Sequence, residues 1–279
     1  MTPSRTEIGT GTGLQTALAM TPAEALERMR DAVPLVQCIT NFVAMGYAAN
    51  VLLAAGASPA MVHAARESGD FARIAGALTV NIGTLSPDWV EGMEAAIRGA
   101  AEAGVPWVLD PVADFATPYR GAVTRALVAM GPAVIRGNAS EILFFGGGTG
   151  AGKGADAGDP VAAAVAAATA LARETGGTVA VTGAEDFLTD GTRALWVRGG
   201  HALMPRVTAT GCALTCLVGA YAAVAPPFEA TLAALVQFAA AGERAGATAA
   251  GPGSFAPAFL DALAAVTPAQ MDLARVRAA

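Results

Sequence analysis

Charge is scarce in this 279-residue chain: Asp, Glu, Lys and Arg make up 14% of it, and the aromatic residues another 6%. A basic surplus is missing too, because 23 acids outnumber 17 Lys and Arg and leave a net charge of −6. Phosphate-backbone binders need the opposite balance, so nucleic-acid binding is excluded as the main role. Cysteine is sparse: Cys38, Cys212 and Cys216 are odd in number and give no disulfide framework. Cys212 and Cys216 stand one helical turn apart, but His63 and His201 are the only imidazoles and show no partner spacing, which argues against zinc. Long hydrophobic runs are also absent. The stretches Val161–Ala172 and Phe228–Ala241 are interrupted or fall short of the ~20 apolar residues a bilayer requires. Residues 1–20 lack the apolar core of a signal peptide and read as a flexible tail, so a cytoplasmic protein is expected.

Small residues take the place of charge, and the mean hydropathy is +0.48. Close-packed helices over buried strands produce such a balance. Thr21-Pro22-Ala23-Glu24 is a capping box with proline at the first helical position, and it opens a helix to about Asp31. Leu35–Ile39 reads as a buried strand, a helix follows from about Val43 to Ala54, and Ala60–Val62 is a further short strand. Ala77–Ile82 is a strand, Ser86-Pro87-Asp88 starts a helix to Ala103, and Val105–Leu109 is the next strand. Helix Pro118–Met130, strand Ala133–Ile135, helices Ala139–Phe145 and Pro160–Glu174 and strand Thr178–Thr182 continue the alternation. Leu188–Val197 is a hairpin around Asp190-Gly191. The last third reads as helices Cys212–Val224, Phe228–Thr248, Phe255–Val266 and a final one opened by Thr267-Pro268. Strands alternating with helices across short joints define an α/β fold with a largely parallel central sheet and helices on both faces. With no internal linker, residues 21–279 form a single domain.

Val207-Thr208-Ala209-Thr210-Gly211-Cys212 runs from small residues straight into an apolar helix. Free amides and the positive end of the helix dipole make such a start an anion site, with a cysteine in its first turn. Other candidates fall at strand ends, where open α/β sheets carry their ligand crevice. Asp110 closes one strand and serves there as a ligand or as a turn residue. Asn138 and Glu141 form a capping box, and Glu141 is also a candidate for Mg²⁺ held through water. Thr182-Gly183 suits a nucleotide, and Arg120 could offer its fork of donors to phosphates. The glycine-rich stretch 146–159 matches G-x-x-x-x-G-K from Gly147 to Lys153, but Gly154 stands where a P-loop needs Ser or Thr, so a flexible surface loop is expected.

In this order the motifs resemble the ribokinase-like superfamily and, within it, the hydroxyethylthiazole kinase family. The matching segments are 34–45, Gly56–Met61, Asn81–Leu85, Leu109–Val112, Ile135–Glu141, Val181–Gly183 and the Thr-Gly-Cys stretch at 210–212. The resemblance spans roughly residues 21 to 265. It implies a three-layer fold without a separate lid domain. It also implies ATP- and Mg²⁺-dependent phosphorylation of 4-methyl-5-(2-hydroxyethyl)thiazole in thiamine salvage, by a homotrimer with active sites between subunits. By position, the backbone amides of Met45 and Ala209 would contact the thiazole, with Asn41 beside them. Arg120, Thr182 and Gly183 would contact ATP, and Asp110 and Glu141 would handle Mg²⁺. Gly211 and Cys212 would form the catalytic helix start, Cys212 standing where most relatives carry a catalytic aspartate. Its thiolate could act as base, the helix N-terminus lowering its pKa, or, with the phosphates nearby pushing that pKa up, Cys212 could only position the alcohol.

Two departures from the family pattern stand out. Ala209 replaces the usual glycine, and Ala113-Asp114-Phe115 replaces a loop that is often glycine-rich; Asp114 would repel phosphates unless it points away. A hydroxymethylpyrimidine kinase or a hydrated-nicotinamide-nucleotide dehydratase on the same fold is the alternative. A nicotinamide-dependent oxidoreductase lacks its strand-linked glycine fingerprint here, and a non-catalytic thiazole or nucleotide binder would form no ADP.

Overall fold

The computed structural model of the protein describes residues 18–147 and 159–279. Most of the expected N-terminal tail and of the 146–159 loop therefore lies outside the described residues. Of the tail, residues 18–20 are docked: the Ala19 amide donates to Glu229 Oε1 at 3.2 Å, and Met20 is buried.

Nine strands form one sheet in the order β2-β1-β3-β4-β5-β6-β7-β8-β9. They are β1 Leu35–Ile39, β2 Ser58–Ala60, β3 Ala77–Asn81, β4 Trp107–Asp110, β5 Val134–Asn138, β6 Thr178–Thr182, β7 Glu185–Thr189, β8 Ala194–Arg198 and β9 Val276–Ala278. From β2 through β6 every pairing is parallel, and from β6 through β9 every pairing is antiparallel. The largely parallel sheet expected from the sequence is thus present, with a meander added at one edge. Its final strand, β9, gives no sequence signal.

Strand side chains alternate between two cores, as the period of two requires. On one face Val36, Cys38, Val108, Val134 and Ala180 pack under helices α1 (Pro22–Ala32), α2 (Met45–Ala55), α8 (Thr210–Ala222), α9 (Pro227–Gly246) and α10 (Pro252–Ala265). On the other, Ile39, Trp107, Leu109, Ile135 and Val181 meet α4 (Pro87–Ala103), α5 (Pro118–Val128), α6 (Ala139–Phe145) and α7 (Val161–Thr175). The three layers are complete. α3 (Ala65–Ile74), which the sequence reading left out, lies against α4 through glycine contacts: a Cβ on Gly99 would stand 2.1 Å from the Gly69 carbonyl oxygen.

Side-chain caps fix four of the ten α-helix starts among the described residues. Thr21 and Glu24 form the expected reciprocal box on α1, Ser86 caps α4 and Thr117 caps α5. The helix expected after Thr267 stops as a 3₁₀ turn, Pro268–Gln270, although its Thr267–Gln270 box is formed. Met271 turns into the core next, and Asp272 caps a second 3₁₀ turn that leads into β9. No helix among the described residues is long and apolar enough to cross a membrane.

Candidate active site

The parallel strands β1, β3, β4, β5 and β6 end at one edge of the sheet, and they deliver Asn41, Asn81, Asp110, Asn138 and Thr182 to it. α8 begins at the same edge. Eleven of its residues, from Thr210 to Ala222, are buried, as expected of a helix apolar on every side. Its first helical hydrogen bond is Ala213 N–H to the Ala209 carbonyl, so the amides of Thr210, Gly211 and Cys212 precede the ladder. The N-cap, Ala209, supplies no side-chain bond, and Thr210 Oγ1 donates to the Val207 carbonyl at 2.7 Å instead of capping. α2 starts in the same way: Ala44 gives no cap bond, and Ala48 N–H to the Ala44 carbonyl is the first helical bond. The Met45 amide, expected to meet the substrate, is thus outside the ladder and is the first amide of that helix. Two uncapped helix starts converge here, each with its positive end toward the edge.

A chain of side-chain hydrogen bonds joins these parts. The Asn41 amide donates to Asn81 Oδ1 at 2.9 Å and to Cys212 Sγ at 3.3 Å, while its oxygen accepts from Val43 N–H and Ala44 N–H. Asn81 donates to Asp110 Oδ2 at 2.7 Å, and Thr215 Oγ1 donates to the same oxygen at 2.8 Å. Glu141 accepts from Ala113 N–H at 3.0 Å and from Asn138 N–H at 2.7 Å, so the sequence-predicted capping box is real. Asn41, Asn81, Asp110, Glu141 and Thr215 are all buried.

Electrostatics follows from that burial. Desolvation raises the Asp110 carboxyl, and the Arg136 charge with the Thr215 and Asn81 hydrogen bonds opposes it. Glu141 is pushed up to about 7, by burial first and by the Asp110 charge second. Burial likewise pushes the Cys212 thiol up to about 12, and the Asp110 charge adds to it. The raised pKa favours the second of the two readings of Cys212, a thiol that positions the alcohol, over the thiolate base. Its cause is the low-dielectric site, which outweighs the Asn41 hydrogen bond and the Arg136 charge.

Arg120 bridges the loops of the edge. Its Nη1 donates to the carbonyls of Ile82 at 2.8 Å and Val112 at 2.9 Å, and its Nη2 to the Gly83 carbonyl at 2.6 Å. Three of its five donors clamp two edge loops, and these bonds leave Nε–H and one Nη2–H unengaged. Thr182 Oγ1 donates to the Gly137 carbonyl at 3.3 Å and accepts from Arg136 Nη2. Gly183 serves packing: a Cβ there would stand 2.5 Å from Val161 Cγ2. Asn81, Thr215 and Arg136 are the site residues missed as individuals. For Arg136 the signal was available, since alternation along β5 puts it on the face of Val134, the face that α8 covers.

Both departures from the family's glycine pattern carry left-handed backbone: φ is +51° at Ala113 and +65° at Ala209. Each alanine holds a conformation that glycine adopts without strain, at a cost of about 1 kcal/mol. Asp114 is fully buried, and neither carboxyl oxygen has a hydrogen-bond partner. Burial, then the Glu141 charge, pushes it up to about 8 from 3.8. An acid raised in the folded state stabilises the fold while protonated, and that contribution fades as pH climbs from about 4 through about 8. Asp114→Ala is therefore expected to leave the melting temperature unchanged at pH 4 and to raise it at pH 8. The gain is about 2 kcal/mol, or about 4–8 °C for a chain of this size, after discounting for relaxation. Thermal melts at the two pH values check it, and an equal shift at both would contradict it.

The three-layer fold is ribokinase-like. The pyridoxal kinase from Staphylococcus aureus in complex with ADP superposes with a TM-score of 0.58 at 17% identity, over 76% of this chain and 89% of that one, a likeness of fold alone. Within that class the chain belongs to the hydroxyethylthiazole kinase family, whose family model matches residues 26–269. The hydroxyethylthiazole kinase of Gemmatimonas aurantiaca is 64% identical over 249 residues, which cover 89% of this chain and 90% of that one. That of Cereibacter sphaeroides is 65% identical over 255 residues, covering 91% and 97%. The solved structure of the hydroxyethylthiazole kinase protein from Pyrococcus horikoshii OT3 gives a TM-score of 0.84 at 41% identity, over 92% of this chain and 98% of that one.

Proposed function

We propose that the protein transfers the terminal phosphoryl group of ATP to the hydroxyl of 4-methyl-5-(2-hydroxyethyl)thiazole, a step of thiamine salvage. The observation that carries this reading is the juxtaposition at the α8 start. Amides outside the helical ladder at Gly211 and Cys212 sit beside a thiol that Asn41 holds at 3.3 Å, next to the buried Asp110. Phosphoryl transfer asks for this combination, because its catalysis is mainly positioning and charge stabilisation.

In this reading the thiazole lies between the Met45 and Ala209 amides and Asn41, with its hydroxyl at Cys212 Sγ. The Gly211 and Cys212 amides receive the phosphoryl oxygens as their charge develops. The hydroxyl oxygen bonds to phosphorus while the bond to the ADP oxygen breaks, and the hydroxyl proton passes late in a loose transition state to an oxygen of the transferred phosphoryl group and from there to water. A protonated Cys212 thiol orients the alcohol. It does not remove its proton in the free protein's charge state.

Thr182 and Gly183 lie on the nucleotide side, and Arg120 supports the loops there. The donor set suits Mg²⁺: Asp110 and Glu141 offer hard oxygens, and the Asp110 charge raises the Glu141 pKa, a repulsion that a divalent cation relieves. Among the described residues no cluster of three or more such side chains is formed, so phosphate oxygens and water would complete the coordination. Mg²⁺ held there would neutralise charge on the phosphate oxygens. We place the enzyme in the cytoplasm as a homotrimer with sites between subunits. The exposed Phe42 and Val43, next to Asn41, support a second chain at that edge.

The test is ADP release with ATP and Mg²⁺ over a panel of alcohols. ADP formed with the thiazole alcohol alone supports the reading. ADP formed with a hydroxymethylpyrimidine instead, or with none, overturns it. Cys212→Ala is expected to lower kcat about 10-fold, less than the 10²–10⁴ that loss of a general base costs. A loss beyond about 10³-fold with ATP affinity intact would return the base role to the thiol.

A further inference from the structure

Neither helix start at the edge has a side-chain cap, so other contacts must set the spacing between α2 and α8. Asn41 supplies one. Its oxygen accepts from Val43 N–H and Ala44 N–H at the start of α2, and its amide donates to Cys212 Sγ in the first turn of α8. Tyr47 offers a second link. It is the third residue of α2, and helical side chains lean toward the N-terminal end of their own helix, here toward the edge. Its ring packs against the core that α8 covers, and its Oη is buried with no hydrogen-bond partner among the described residues. Thr210, the first residue of α8, is the hydroxyl that faces it: burial raises the Tyr47 phenol, and Thr210 opposes that shift. Thr210 Oγ1 donates its single proton to the Val207 carbonyl at 2.7 Å. A bond between the two hydroxyls therefore runs from Tyr47 to Thr210.

We propose that Tyr47 is a positioning residue for the thiazole alcohol: its hydroxyl closes on Thr210 Oγ1 when the ring is held between the Met45 and Ala209 amides, and so fixes the separation of those amides. Met45 lies two residues before Tyr47 on α2, and Ala209 one residue before Thr210, so a single link acts on both. Two features argue for it. A buried tyrosine hydroxyl ordinarily has a partner, and leaving the bond unmade costs free energy that closing it recovers. The turn that carries the Ala209 amide is also thinly held. Its backbone is left-handed at φ +65°, its cap gives no side-chain bond, and Thr210 Oγ1 to the Val207 carbonyl spans it. Tyr47 steadies that turn through the Thr210 oxygen and touches no reacting atom. The assignment rests on the kinase reading of the site.

Steady-state kinetics with the thiazole alcohol, run beside thermal melts, separate this role from a purely structural one. Tyr47→Phe is expected to raise the KM for the alcohol about 5- to 10-fold, with kcat and the KM for ATP within about twofold of the parent. Its melting temperature should equal or exceed the parent's, because phenylalanine fills the same space without an unpaired hydroxyl. Thr210→Val should raise the same KM, and adding Tyr47→Phe to it should change that KM by less than about twofold, since both remove one bond. Thr210→Ser keeps the acceptor, and in that background Tyr47→Phe should again raise the KM about 5- to 10-fold. An alcohol KM unchanged in Tyr47→Phe, or a fall in kcat and melting temperature with KM unmoved, overturns the assignment while leaving the kinase reading in place. A parent protein that forms no ADP with the thiazole alcohol overturns both.

Discussion

Asp110→Asn is expected to lower kcat/KM about 10³-fold while the protein stays folded. The carboxylate is 1% exposed and serves several neighbours at once: Asn81 and Thr215 donate to Oδ2, and Arg136 faces it at 3.7 Å. An amide keeps the shape but removes the charge that faces Arg136 and would face Mg²⁺. Breaking a buried charge pair costs about 3–5 kcal/mol, and about 4 kcal/mol at the transition state corresponds to about 10³ in rate. The same substitution has a second readout. Because the Asp110 charge is the second cause of the raised Cys212 thiol, that thiol should titrate below about 12 in the variant. Alkylation rate against pH measures this. Activity within tenfold of the parent, with the thiol unmoved, would separate Asp110 from the site chemistry.

Gly211→Ala is the second large effect, with an expected loss of about 10² in kcat/KM. The added methyl would stand 2.9 Å from Arg136 Nη1, and the guanidinium cannot retreat without leaving Thr182 and Asp110. The amide of Gly211 shifts with it, and removing one donor to a developing oxyanion costs about 10²–10³. Helix propensity alone predicts the reverse, because alanine is the better helix former by about 1 kcal/mol. A variant at least as stable as the parent in a thermal melt but about 100-fold slower distinguishes the two effects. Full activity would show that the α8 start tolerates displacement.

Local chemistry made much of the fold legible. The Thr21–Glu24 and Asn138–Glu141 boxes, the Ser86 cap and the Asp190-Gly191 turn each write their geometry in two to four residues. The buried parallel strands were readable because both faces are apolar. α3 was not read although its residues are amphipathic at helical spacing; its contact with α4 runs through Gly69, Gly92 and Gly99 rather than through large apolar side chains. β9 is three residues whose only argument for being a strand is the neighbour β8. At the site, the motif residues were placed correctly at the strand ends, but their partners were not foreseen. Arg120 and Arg136 are alike in sequence. Only the tertiary arrangement shows Arg120 bonded to three carbonyls and Arg136 bonded to Thr182 and facing Asp110 beside α8. The choice between the two roles of Cys212 stayed open for the same reason, since a helix start favours the thiolate and the depth of burial opposes it.

The most direct test of the account is a crystal structure with the thiazole alcohol and a non-hydrolysable ATP analogue. The terminal phosphate should lie within hydrogen-bond distance of the Gly211 and Cys212 amides, with the alcohol oxygen at Cys212 Sγ between the Asn41 and Ala209 sides. A nucleotide bound away from the ends of β4, β5 and β6, or a thiazole whose hydroxyl points away from α8, would contradict it.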